Sequence, residues 1–264
     1  MSMTEQAPPA SPAIRIEDVE PGIRVLSIDR PQRMHALDPP SASELRDALR
    51  AAHSAPDVRV LILTGTQGQF CAGADLKYRK APGEESVLVR LQECHDAIAF
   101  GPLPCIAAIE GSAYGAGLSL ALACDRIVAG AGARFCAPFT GIGLVPDVGM
   151  LQSLPRRVGW ARAREWMIEG TVVDAAQARE CGLSDETAEA GGALAEAVAR
   201  ARRWTARAPL ALAALKQLDA AAAAASAQLF SHERELQARL AASQDFAEAV
   251  AAFGARRAPS FQGR

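Results

Sequence analysis

No stretch of the chain is apolar for long enough to span a bilayer. The most uniform one, the Ala-rich segment from Ala211 to Ala227, is interrupted by Lys216, Gln217 and Asp219. It reads as a soluble helix, and no membrane partner is expected. Charge of one sign is equally scarce: 28 basic residues face 30 acidic ones, a formal net charge of −2. Neither a polyanion-binding surface nor an acidic tail dominates, so nucleic acid is not an expected partner. Six cysteines, at 71, 94, 105, 124, 136 and 181, include no Cys-x-x-Cys pair, and several lie inside apolar runs as small buried hydrophobes do. No metal is expected, and a reducing, cytoplasmic setting fits best. Residues 1–12 are polar and Pro-rich with no basic flank leading into an apolar run, which argues for a loose tail rather than a signal peptide or anchor. No segment recurs at a fixed period.

What is present is the material for a large core: of 264 residues, 50% are hydrophobic and 22% charged. Short β-branched runs recur at Ile23 to Ile28, Val58 to Leu63, Cys105 to Ile109 and Asp125 to Val128, each followed by a glycine-containing turn or a helical pattern. That alternation predicts an α/β fold, with crossover helices joining mostly parallel strands. Ser41 is placed to cap a helix with Glu44 as its capping-box partner, and Glu84 opens another running towards Phe100. From about Val148 strand signals vanish. Helices are expected from Arg162 to Glu169, Asp174 to Glu180, Gly192 to Arg207, and Pro209 through Arg257 with breaks near Ser231 and Ser243. The expected organisation is a tail (1–12), a core (13–205) and a helical C-terminal region (206–264). Ala-rich helices offer little area to bury and pack closely against another surface, so the last region is expected to lie at a subunit interface.

Two glycine-rich turns carry the chemical signal. Gly65 to Lys77 reads G-T-Q-G-Q-F-C-A-G-A-D-L-K after a strand, and Gly111 to Asp125 reads G-S-A-Y-G-A-G-L-S-L-A-L-A-C-D between a strand and an apolar helix. Small residues let backbone N–H groups approach a ligand, and a helix N-terminus adds the positive end of its dipole. Two such N–H groups make an oxyanion hole; the plainer reading is that the glycines only make turns. A dinucleotide fingerprint fits poorly, since Leu120 stands where the third glycine belongs. A nucleophile elbow is the serious rival. Gly117-Leu118-Ser119-Leu120-Ala121 misses G-x-S-x-G by one residue, with Asp147 or Asp185 and then His232 in hydrolase order.

Phe70-Cys71-Ala72-Gly73-Ala74-Asp75-Leu76-Lys77, together with Gly115-Ala116-Gly117 and Ala121-Leu122-Ala123-Cys124-Asp125, resembles the crotonase superfamily of enoyl-CoA hydratases and isomerases. Arg30 to Leu37 is similar to the family's early motif, with His35 at its usual Asn. Gly143 to Gly149 followed by Leu154-Pro155-Arg156 is similar to its central motif. The resemblance covers almost the whole chain. It implies a crotonase-type spiral of βαβ units with a helical C-terminal trimerisation region, assembled as a homotrimer or hexamer, that binds an acyl-CoA thioester. It implies no cofactor, since coenzyme A is part of the substrate. The N–H groups of Ala72 and Ala116 would hold the thioester oxygen, and Met34, Ala36, Ala74, Asp75 and Leu76 would line the adenine and pantetheine path. Asp75 also reads as holding the turn that aims Ala72. Tyr114 and Cys136 would line the acyl pocket, with Tyr114, Ser119 and Phe139 among the substrate-binding residues. Phosphate contacts would fall to Lys77, Lys80 and Lys216 and to arginines such as Arg33, Arg79 or Arg257.

The departures from the family pattern are informative. The two glutamates of its hydratases correspond here to Ser119 and Phe139, neither of which is a general base. Asp147 stands where the family's aspartate-dependent isomerases, resembling those of the phenylacetate pathway, carry their acid–base group. The implied activity is isomerisation of an enoyl-CoA through an enolate. Three alternatives remain at this point: a Ser119 hydrolase, a CoA-binding protein with weak catalysis, and an Asp147 that merely caps the helix after it.

Overall fold

The chain is described by a computed structural model over residues 12–78, 84–222 and 226–262. Strands β1 (Ile14–Glu20), β2 (Ile23–Ile28), β3 (Val60–Gly65), β4 (Cys105–Ile109), β5 (Ser112–Tyr114), β6 (Arg126–Gly130) and β7 (Arg134–Cys136) alternate with helices α1 (Pro39–Ser54), α2 (Val87–Phe100) and α3 (Ala116–Ala123). Then come α4 (Met150–Val158), α5 (Trp160–Glu169), β8 (Val173–Asp174), α6 (Ala175–Glu180), β9 (Glu186–Ala188), α7 (Ala193–Thr205), α8 (Pro209–Ala222), α9 (Ser226–Ala241) and α10 (Gln244–Ala255). The predicted tail lies outside the described residues except for Pro12.

A six-stranded sheet runs in the order β1-β2-β3-β4-β6-β9, parallel except for the β1–β2 hairpin. Successive side chains point to opposite faces of a strand, and here both faces are buried. Leu26, Ile28, Leu61, Leu63, Ala107 and Ile109 join the large core with α1, α2 and α3. Val25, Val60, Ile62, Ile106 and Ala108 meet Ala193, Ala197 and Ala201 of α7. The four strands read from the sequence as near-continuous apolar runs are these doubly covered ones. Beside them β5, β7 and β8 form a small second sheet that carries the second glycine turn into α3.

Several expectations are corrected. Asp38, not Ser41, caps α1: its carboxylate accepts from Ser41 N–H at 3.0 Å while Ser41 Oγ accepts from Asp38 N–H at 2.9 Å. Glu44 instead accepts from Ala13 and Ile14 N–H, tying β1 to α1. Strands do occur after Val148, but β8 and β9 hold two and three residues, too few for a periodic signal. Ser231 lies inside α9 rather than at a break, whereas Ser243 caps α10 through its hydroxyl at 3.0 Å from Phe246 N. Lys216 is buried in α8, where it donates to both Asp125 carboxylate oxygens and to Ile98 O. It clamps α8 to the end of α3 and reaches no solvent-facing phosphate. Among the described residues no helix is long and apolar enough to cross a membrane.

Candidate active site

The two glycine turns lie side by side. Cys71 N–H donates to Ser112 O at 2.9 Å and Tyr114 N–H donates to Cys71 O at 3.0 Å, so the strand-like segment at 71–74 runs along β5. Gly73 has φ +97, and a Cβ there would stand 2.8 Å from Tyr114 O and 3.2 Å from Ala116 N. Gly117 is as constrained, with a would-be Cβ 2.4 Å from Cys71 O. Glycine at both positions is what brings the two backbones together.

Ala72 does not supply a free amide: its N–H donates to Met34 O at 3.1 Å. The correction follows from register. Leu37 pairs with Ala74 as in a parallel ladder, donating to Gly73 O at 2.8 Å and accepting from Asp75 N–H at 2.8 Å. Ala74's own N–H therefore points away from Leu37, and among the described residues no hydrogen bond claims it. Ala116 is the first residue of α3, where the helix leaves its N–H unbonded. The pair of amides on offer is Ala74 and Ala116.

The other candidates divide into scaffold and lining. Met34 is half exposed with φ 50, and its carbonyl accepts from Ala72; Ala36 is buried, with its carbonyl accepting from Arg30. Asp75 makes scaffold contacts. Its side chain is 7% exposed between Arg30 at 3.5 Å and Arg33 at 3.8 Å, and it accepts from Lys77 N–H. His35, also left-handed at φ 57, is buried; its Nδ1 accepts from Arg30 N–H and its Nε2 faces Thr66 O, both at 2.9 Å. Burial holds its pKa below the ordinary value. Leu76 lines an apolar cavity of about 230 Å³ with Tyr78, Ile142, Val250 and Phe253. Tyr114 is half-buried, and the buried Phe139 ring abuts Gly115. Arg257 is paired with Glu248, while Arg79 and Lys80 lie outside the described residues.

Ser119 is fully buried, and its hydroxyl donates to Asp147 O at 3.0 Å. His232 is exposed on α9 beside Glu235. No nucleophile–base pair exists between them, so the hydrolase reading fails, and the Ser119 hydroxyl is taken up by main-chain oxygens.

Asp147 is not a helix cap either. Gly149 takes that position in α4 without any side-chain hydrogen bond, and Asp147 turns inward. Its Oδ2 accepts from Gln237 Nε2 of α9 at 2.8 Å; its Oδ1 is buried and has no hydrogen bond among the described residues. Burial pushes the carboxyl up to about 7, against a smaller downward pull from Gln237. The Ser119–Asp147 bond ties the loop one helical turn along α3 from Ala116. Gln237 and its buried neighbour Glu233 escaped the sequence reading. The one available signal was the Phe230, Glu233, Gln237 spacing, which puts a polar pair on the buried stripe of α9.

The sequence profile described as Enoyl-CoA hydratase/isomerase matches residues 18–264. The chain belongs to this family. It is 37% identical over 252 residues to a probable enoyl-CoA hydratase of Rhodobacter capsulatus, covering 94% of this chain and 97% of that one. It is 33% identical over 263 residues to the 1,2-epoxyphenylacetyl-CoA isomerase of Escherichia coli, covering 94% and 98%. Among solved structures, an enoyl-CoA hydratase from Mycobacterium avium subsp. paratuberculosis superposes with a TM-score of 0.85 at 30% identity, covering 95% and 98%. The expected crotonase-type fold is therefore found. Family members of both hydratase and isomerase name resemble the chain at similar identity.

Proposed function

We propose that this family member isomerises an enoyl-CoA thioester, with Asp147 as the single acid–base residue and the N–H groups of Ala74 and Ala116 as the oxyanion hole. The observation that carries the reading is the Asp147 carboxyl, buried, with one unpaired oxygen and a pKa pushed up to about 7. Its loop is tied through Ser119 to the helix that begins at Ala116, and its raised pKa gives it the basicity to work on a proton α to a thioester carbonyl. In a 3-enoyl thioester, Asp147 Oδ1 takes a proton from C2, and the electron pair moves into the carbonyl as a dienolate whose oxygen accepts from both amides. The proton then returns at C4, leaving the double bond between C2 and C3. Each well-placed donor contributes roughly 10²–10³ in rate. The cavity beside Leu76 receives an apolar part of the substrate. Net hydration lacks the two family glutamates, since a buried hydroxyl and a phenyl ring stand at those positions. We further infer assembly as a trimer or hexamer through the C-terminal helices.

A panel of 2-enoyl and 3-enoyl thioesters, assayed separately for water addition and double-bond shift, tests the reading. Shift without appreciable hydration supports it; hydration at ordinary enzyme turnover with no shift overturns it.

A further inference from the structure

Asp147 shares its buried compartment with a second carboxyl. Glu233 is 1% exposed on α9, one turn before the Gln237 that holds Asp147. Its carboxyl lies against the loop that carries Asp147, towards the N–H of Gly149, and its Oε2 is 3.5 Å from Gln92 Nε2 of α2. Among the described residues no hydrogen bond reaches Glu233 Oε1, just as none reaches Asp147 Oδ1. Two buried carboxyls from distant parts of the chain thus each have an oxygen without a hydrogen bond among the described residues, and the charge of one acts on the other.

Of the groups around them, Arg234 of α9 pulls the Glu233 carboxyl down, but less than burial and the charge of Asp147 push it up. From α2, His95 puts its Nε2 against Gly149 and its Nδ1 3.1 Å from Asp96. Arg234 of α9 is engaged by Gln92 Oε1 at 2.8 Å. From α3, Ser119 bonds the Asp147 main chain and not its carboxyl. Two buried carboxylates within reach of each other's charge repel, whereas a single proton on the pair leaves one charge.

We infer that Glu233 is the positioning residue of the Asp147 site: the two carboxyls hold one proton between them, Glu233 keeping it while Asp147 is ionised and ready to act as base. This rests on the reading of Asp147 given above. Burial and the charge of Asp147 push Glu233 up to about 7, in the same range as Asp147 itself.

The test is a pH titration of the carboxyl infrared bands in the ligand-free protein and in Asp147→Asn and Glu233→Gln, alongside α-proton exchange. In Asp147→Asn the Glu233 transition moves to lower pH by about 1 unit, the minimum for a coupled pair. In Glu233→Gln a single transition remains and the pH profile of exchange shifts with it, while KM is unchanged. A Glu233 transition at the same pH with and without the Asp147 charge overturns the pairing, even where Asp147→Asn abolishes exchange and the catalytic reading stands. Exchange that survives in Asp147→Asn overturns the catalytic reading, and with it the positioning role of Glu233, whatever the bands do.

Discussion

Asp147 is a carboxyl held where a charge is costly, and both its reactivity and its effect on stability follow from that. Its folded pKa of about 7 lies above the ordinary carboxyl value of 3.8. Activity that needs the ionised form should therefore rise with pH through about 7 and then level, which a pH profile of kcat checks. Stability runs the other way. A group whose pKa is raised on folding contributes fully below the unfolded value, and the contribution is lost as pH rises through the folded value. The difference between the unfolded and folded values corresponds to at most about 4 kcal/mol. Asp147→Asn should accordingly raise Tm at pH 8 more than at pH 4, the trade between activity and stability common at such sites. A Tm difference independent of pH would contradict the burial argument. Ser119→Ala, by contrast, should leave turnover within a small factor, since that hydroxyl only ties α3 to the Asp147 loop. A loss on the scale of a missing nucleophile would revive the hydrolase. At this scale Asp147 was legible because it sits in a recognisable motif. Glu233 and Gln237 were not, because burial of a polar pair on a helix depends on what packs over it.

At the scale of elements, the two turns act as one device. Gly73 and Gly117 permit an approach that any Cβ obstructs, and Gly73 also adopts a left-handed φ. Gly73→Ala should spread the segments carrying Ala74 and Ala116 and cost exchange roughly 10²-fold or more, the scale of losing one oxyanion donor. A variant that stays folded by circular dichroism with near-native exchange would show that the amides are not the device. The doubly covered strands and the apolar α3 were plain in the sequence, since runs such as Val60–Gly65 need no partner to be read. Which alternate amide of the first turn is free was not. Ala72 and Ala74 are equivalent in composition, and only the ladder with Leu37 and the bond to Met34 O tells them apart. The capping of α1 by Asp38 was hidden for a similar reason: Pro39 and Pro40 follow it, and Ser41 offers an equally good capping side chain.

Over the whole molecule, apolar side chains remain uncovered on the C-terminal helices. Leu210 is 84% exposed, Leu215 57% and Leu218 69% on α8, and Phe253 is 61% exposed on α10. Such a surface favours association, and light scattering at micromolar concentration should find a trimer or hexamer; a monomer would contradict that expectation. Replacing Leu210 and Leu218 by Ser should weaken the assembly while leaving the Lys216–Asp125 clamp beneath α8 intact. The account as a whole turns on whether the protein moves an α-proton through Asp147. The most direct measurement is exchange of the C2 proton of an acyl-CoA in D₂O, followed by NMR for the unmodified protein and for Asp147→Asn. Asn keeps the size of the side chain but removes the base. The account predicts rapid exchange in the former and a fall of roughly 10²–10⁴-fold in the latter with CoA binding retained. Exchange within a few-fold of the unmodified protein would contradict it and place the base elsewhere.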